Sequence, residues 1–153
     1  MKTTITIRVN GEARSVDVMP TETLLLVLRE KLGLKSPKCG CDRGDCGTCT
    51  VLLNGDSVRS CLIFAIEANG QDVTTLEGLV EDPPTPLQQA FLAHSSFQCG
   101  FCAPGTIVTA TELLRKNPQP TRHDVQEAIA GNLCRCTGYE PIIDAILDAA
   151  QRA

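Results

Sequence analysis

The chain has 153 residues, 42% of them hydrophobic, with no Trp, one Tyr and four Phe, and a formal net charge of −4. That length allows one ordinary domain or two small ones, and the apolar content excludes a disordered chain. With 14 basic against 18 acidic residues, the balance argues against a nucleic-acid binder, whose affinity rests on Lys and Arg contacts to phosphate. No apolar run approaches the roughly 20 residues of a membrane span, and Met1 to Ile5 open no apolar leader. A cytoplasmic location is therefore expected. Thiols stay reduced there, so the nine cysteines read as metal ligands rather than disulfides. Small, aromatic-poor cores commonly need such a staple.

Along the chain, Ile5, Ile7 and Val9 alternate with Thr4, Thr6 and Arg8, the period of a strand. Asn10-Gly11 has the composition of a two-residue hairpin turn, and Val16 and Val18 alternate on the return. Thr21 is the expected N-cap of a helix with Leu24, Leu25, Leu28 and Leu32 on one stripe and Gly33 as its stop. Residues 34–49 lack periodicity and carry Gly40, Gly44 and Gly47 among cysteines, which predicts a loop. Thr50 to Leu53 reads as a strand, Asn54-Gly55 as a second hairpin turn, Ser57 to Leu62 as its return, and Asp72 to Thr75 as a last short strand. Pro83, Pro84 and Pro86 mark a boundary between a unit of residues 1–78 and one of 79–153.

Beyond the boundary the period becomes helical. One helix is expected from Thr85 to near Ser95, and a second from Pro104 with Ile107, Ala110 and Leu114 on one face. A third follows the Thr121-x-x-Asp124 capping box with Val125, Ala128 and Ile129 on one face. A fourth opens at Pro141 with Ile142, Ile146 and Ala149 inward. Four short helices predict a small bundle.

Eight cysteines form two sets of four. Cys41, Cys46, Cys49 and Cys61 read C-x4-C-x2-C followed by a distant fourth, the spacing of a plant-type [2Fe–2S] site. If Asn54-Gly55 is a two-residue turn, residues 53 and 56 pair, and so do 48 and 61, so the hairpin returns Cys61 beside Cys49. Cys99, Cys102, Cys134 and Cys136 form the second set. The helix after Cys102 runs outward for roughly 20 Å at ~1.5 Å per residue, and residues 121–132 run back. Taken alone, C-x2-C…C-x-C also suits structural zinc. A Rieske centre needs two His on one iron, but His94 and His123 lie outside the motifs and are expected at the surface. Cys39 could replace Cys41; spacing favours Cys41 and leaves Cys39 a free thiol. Gln98 and Tyr139 border the second set, with packing and function equally open to them.

Three stretches together, Gly40-Cys-Asp-Arg-Gly-Asp-Cys-Gly-Thr-Cys-Thr-Val51, Gln98-Cys-Gly-Phe-Cys-Ala-Pro-Gly105 and Gly131-Asn-Leu-Cys-Arg-Cys-Thr-Gly-Tyr139, resemble the small iron–sulfur subunits of the molybdenum hydroxylases. That family includes xanthine dehydrogenases, aldehyde oxidoreductases, aerobic carbon monoxide dehydrogenases and isoquinoline-type oxidoreductases. The resemblance implies an α+β fold: an N-terminal β-grasp (plant-type ferredoxin-like) domain followed by an all-α four-helix domain, each with one [2Fe–2S] cluster. It implies a separate large subunit that carries molybdopterin and the substrate site. Electrons would pass through this chain to a flavin (FAD) subunit, a cytochrome or another acceptor. It also implies that Gln98 and Cys136 approach the partner's molybdopterin.

No G-x-G-x-x-G motif is present, and the chain is expected to turn over no substrate by itself. The competing readings are a stand-alone iron–sulfur redox sensor and a zinc-stapled interaction module. Export with a signal-bearing partner is compatible with all of these.

Overall fold

The computed structural model describes residues 1–152. Asn10 and Gly11 both take positive φ, 51° and 85°, the type I′ geometry whose twist matches paired strands. The turn folds β1 (Thr3–Val9) against β2 (Glu12–Val18), with Val9 opposite Glu12. The following helix starts later than its composition suggests. Thr23, not Thr21, caps α1 (Leu24–Leu26), its hydroxyl accepting the Leu26 N–H at 3.2 Å. A tertiary contact sets that start: Leu24 N donates to Ile63 O at 2.7 Å, and Thr23 bridges Phe64. The helix then widens into a π-helical turn, Val27–Lys31, closed by Leu32 N on Val27 O at 3.0 Å. Leu24, Leu25, Val27 and Leu28 are buried by this winding, and Leu32 is left half-buried.

Residues 34–49 form the expected loop. The second hairpin joins β3 (Thr50–Leu53) to β4 (Asp56–Arg59) through Asn54 and Gly55, again both at positive φ. Its register has Leu53 opposite Asp56 and Thr50 opposite Arg59. The return strand is shorter than Ser57 to Leu62, because the Ser60 hydroxyl and N–H both turn onto Cys49 O, at 2.7 and 3.4 Å. β5 (Asp72–Thr74) lies between the hairpins, parallel to β1 and antiparallel to β3, giving the order β2-β1-β5-β3-β4. Ile5, Ile7, Val9, Val51 and Val73 pack beneath Leu24, Val27 and Leu28. This is a mixed sheet grasping one helix.

The second half is α2 (Pro86–Ala93), α3 (Ala103–Lys116), α4 (Arg122–Ile129) and α5 (Glu140–Arg152). Capping boxes start α2 at Thr85/Gln88 and α4 at Thr121/Asp124. Phe91, Ala110, Val125, Ile142 and Ile146 form its core; each large apolar side chain contributes ~1.5–3 kcal/mol by leaving water. His94 is not a plain surface residue. It is half-buried, its Nε2 3.0 Å from Asp148 Oδ2, and so ties the end of α2 to α5; His123 is exposed. Among the described residues no helix is long and apolar enough to cross a membrane.

α3 also lies along the β3–β4 hairpin. Glu112 accepts the Ser57 N–H at 3.0 Å, Lys116 pairs with Asp56 at 2.8 Å, and Arg115 donates to Gly55 O. The hairpin that returns Cys61 to the first cysteine set is thus the surface on which the helical half rests.

Candidate metal centres

Four cysteines of the first set converge from the 41–49 loop and the end of β4. Cys49 and Cys61 are buried with their sulfurs 3.4 Å apart, where the chain leaves β4 and Ser60 turns onto Cys49 O. The half-buried Cys41 and Cys46 face each other across the loop, and the Cys46 N–H lies 3.4 Å from Cys41 Sγ. Asp42 and Gly44 at positive φ, 55° and 87°, curl that loop inward. Backbone N–H groups of Arg43, Cys46 and Asp45 then point at Cys41 Sγ and hold its thiol down to about 7. Burial, followed by the neighbouring Cys49 thiol, pushes Cys61 up to about 12, against a counteracting N–H from Gly44. A Cβ on Gly40 would sit 2.9 Å from Cys46 Sγ and 2.8 Å from Thr48 Oγ1, so only glycine leaves this wall of the site open. Such a loop of inward N–H groups is an anion cradle, which suits thiolates and a negatively charged iron–sulfur group.

The second set joins the turn before α3 to the segment between α4 and α5. Cys99 and Cys136 are exposed with sulfurs 3.6 Å apart, whereas Cys102 is buried and faces the half-buried Cys134. Burial and the Cys134 thiol push Cys102 up to about 12. At Cys134 burial is outweighed by donors: the Thr137 hydroxyl at 3.2 Å and the N–H groups of Thr137 and Cys136 lower its thiol. Tyr139, at φ 72°, accepts the Cys134 N–H on its phenol oxygen at 3.1 Å. In both sets the thiols meet in twos. Among the described residues no three His, Cys, Asp or Glu side chains gather around one metal ion.

The two sets share a wall. A cavity of about 320 Å³ is lined by Cys46 and Thr48 from one side and by Cys99, Cys102, Cys134 and Cys136 from the other. Leu133 N donates to Cys46 O at 2.9 Å, linking the residue before Cys134 to the first set.

Comparison with known proteins matches these two halves separately. Residues 7–78 fit the 2Fe-2S iron-sulfur cluster binding domain and residues 75–147 the [2Fe-2S] binding domain. The nicotinate dehydrogenase small FeS subunit of Eubacterium barkeri is 50% identical over 99% of this chain and 97% of its own length. The chain belongs to the iron–sulfur small subunits of the molybdenum hydroxylases. Quinoline 2-oxidoreductase from Pseudomonas putida 86 contains a chain that superposes with a TM-score of 0.95 at 44% identity, over 98% of this chain and 94% of that one. The aldehyde oxidoreductase of Desulfovibrio desulfuricans ATCC 27774 superposes at 0.93 with 48% identity, over 97% of this chain but 17% of that one. This small subunit is thus the iron–sulfur electron-transfer part of an oxidoreductase, with an N-terminal ferredoxin-like and a C-terminal helical domain.

In this small subunit the eight expected cysteines meet in four pairs, two in each set, and Cys39 pairs with none of them. It is exposed, and burial of its thiol followed by nearby Asp42 raises it above its ordinary value. Gln98 is exposed beside Cys136 and donates from Nε2 to its carbonyl at 3.2 Å. Residues without a spacing signal also shape the site. Thr48 bridges Cys46 Sγ at 3.2 Å and Lys38 O at 3.1 Å, and Thr137 supports Cys134. Asn132 links the two loops. Their nearness to cysteines in sequence was the one available hint.

Proposed function

We propose that Cys41, Cys46, Cys49 and Cys61 hold one [2Fe–2S] cluster in the unit of residues 1–78. Cys99, Cys102, Cys134 and Cys136 hold a second in the unit of residues 79–153. The observation that carries this is the pairing of thiols in both sets, at 3.4 Å for Cys49 with Cys61 and 3.6 Å for Cys99 with Cys136. A binuclear cluster takes two thiolates on each iron, whereas structural zinc takes four ligands at one point. Bound clusters supply one-electron exchange and no acid, base or open metal position. The chain's residues supply the rest: thiolates, inward N–H donors at Cys41 and Cys134, and apolar cover from Leu133 and Phe101 on the shared cavity.

On this reading the small subunit relays electrons from a molybdopterin-bearing large subunit to a flavin (FAD) subunit, a cytochrome or another acceptor. Exposed Cys136 and Gln98 form the edge that meets the large subunit, near its molybdopterin. Substrate choice rests with that subunit. A cytoplasmic location fits nine cysteines of which eight are the proposed ligands, since a reducing compartment keeps thiols available to metal.

The test is Cys49→Ser and Cys134→Ser in the purified complex. Each is expected to remove a different paramagnetic signal of the reduced protein, with iron and labile sulfide falling to half. Loss of both signals from either change, or zinc in place of iron, would overturn the assignment. Purification without a molybdenum-containing subunit would overturn the relay.

A further inference from the structure

The loops that carry the two cysteine sets are joined by one buried polar network. Asn132 lies two residues before Cys134 and is 2% exposed. Its Nδ2 donates to Gly47 O at 3.1 Å, in the residue after Cys46, and reaches Thr50 Oγ1 at 3.4 Å. Its Oδ1 accepts from the buried Thr109 hydroxyl of α3 at 3.0 Å. The Gly47 carbonyl, which can only accept, fixes the orientation of the amide, with Nδ2 toward it and Oδ1 toward the Thr109 hydroxyl, which also lies 3.0 Å from Gly105 O. Thr50 Oγ1 in turn donates to Gly47 O at 2.6 Å and accepts from Arg59 Nη1 at 2.8 Å, while Arg59 Nη2 donates to Gly131 O at 2.8 Å.

The backbones meet here without side chains between them. A Cβ on Gly47, which sits at φ 72°, would collide with Gly131 O, and one on Gly105 would collide with Gly47 O. The contact therefore leaves no room for a side chain at either glycine, and Asn132 stands at its centre. Among the described residues no side chain of this seam hydrogen-bonds to a sulfur of either set. What it fixes is the placing of one cysteine loop against the other, including the 2.9 Å bond from Leu133 N to Cys46 O.

We propose that Asn132, held between the Gly47 carbonyl and the Thr109 hydroxyl, is the positioning residue that sets the separation and mutual orientation of the two cluster sites, and through them the rate at which electrons pass between them. This rests on the two-cluster reading above. Electron exchange between fixed centres depends on their geometry, as other reactions between held partners do. A buried amide with both ends satisfied is a rigid means of holding that geometry, because leaving either end unpaired is costly.

The test uses the purified complex with two substitutions, Asn132→Ala and Thr109→Val. The second keeps side-chain shape and removes only the hydroxyl. Iron content and the separate low-temperature signals of the two clusters are recorded first; a wild type with a single cluster would fail the underlying reading, not this inference. The informative readouts are the magnetic splitting between the two reduced clusters and the rate of electron redistribution between them after a single electron is injected photochemically. Both variants are expected to retain both signals, with an altered splitting and a several-fold slower redistribution. Lys116→Ala, at the exposed rim of the same domain contact, is expected to change neither. If Asn132→Ala loses iron, Thr109→Val decides alone. Unchanged splitting and rate in a variant that keeps both clusters would overturn the proposal, as would loss of a cluster from both variants, since Asn132 would then be needed for assembly.

Discussion

Glu77 has no place in the cysteine motifs, yet it clasps the segment that leads into the first set. Its carboxylate accepts the Ser36 N–H at 2.8 Å, the Thr75 hydroxyl at 2.6 Å and the Ser36 hydroxyl. Burial raises such a group, but these donors outweigh it and hold Glu77 below the ordinary carboxylate range. A depressed folded-state value contributes stability above the unfolded pKa, about 4.3 for Glu, and loses it as pH falls through the folded value. Glu77→Gln is therefore expected to lower the melting temperature at pH 7. The gap from wild type should narrow steadily below about pH 4. Thermal melts across that range check it, and a gap independent of pH would mean that the carboxylate's charge does not matter. The same balance between burial and donors recurs at the sulfurs. Cys41, surrounded by backbone N–H groups, is held low, whereas Cys61 and Cys102, buried and facing another thiol, are pushed up.

At the level of elements, local chemistry and tertiary contact can be separated. In α4 the Thr121 hydroxyl accepts the Asp124 N–H at 3.2 Å, and Asp124 Oδ2 accepts the Thr121 N–H at 2.7 Å. Thr121→Ala is expected to cost about 1 kcal/mol, measured by denaturant unfolding, with both iron–sulfur signals unchanged. A lost signal would mean that α4 delivers Cys134 and Cys136 by a margin smaller than one cap. This helix, both hairpins and the four-helix order were legible in the sequence because each rests on residues within a few positions. The Asn-Gly turns demand positive φ, the period of two reports one buried face, and the capping boxes close on themselves. Where a distant residue decides, the sequence is silent or misleading. Thr21 has the composition of a cap, but Ile63 and Phe64 place the helix start at Thr23. The π-helical turn rotates Val27 into the core and Leu32 partly out of it. β5 pairs with β1 over two residues each, Arg8–Asp72 and Val9–Val73, a match no local pattern announces. The cysteine sets were legible through spacing; Asn132 meeting Gly47, 85 residues away, was not.

Among the described residues the two large apolar cores are joined by a polar seam. Ile5, Val51 and Leu28 belong to one core, and Phe91, Val125 and Ile146 to the other. Each could in principle melt alone. The seam opposes that, because it joins the parts that hold the cysteines rather than the periphery: Arg59 to Gly131, Asn132 to Gly47, Leu133 to Cys46. Opening either domain would strip the other's cysteine loop of its backbone partners. Heating is therefore expected to bleach both iron–sulfur signals in one transition. Arg59→Met keeps much of the apolar stem but removes the bonds to Thr50 and Gly131. Hydrogen bonds to a charged group are worth ~1.5–3 kcal/mol, and each kcal/mol shifts the midpoint of a chain this size by about 2–4 °C. With two such bonds removed, the common midpoint should fall by roughly 6–24 °C, with the two signals still lost together, because the remaining bonds of the seam persist. Two separate transitions in the wild type would mean that each core outweighs the seam, and that the cluster sites are held in register only by docking of independent domains.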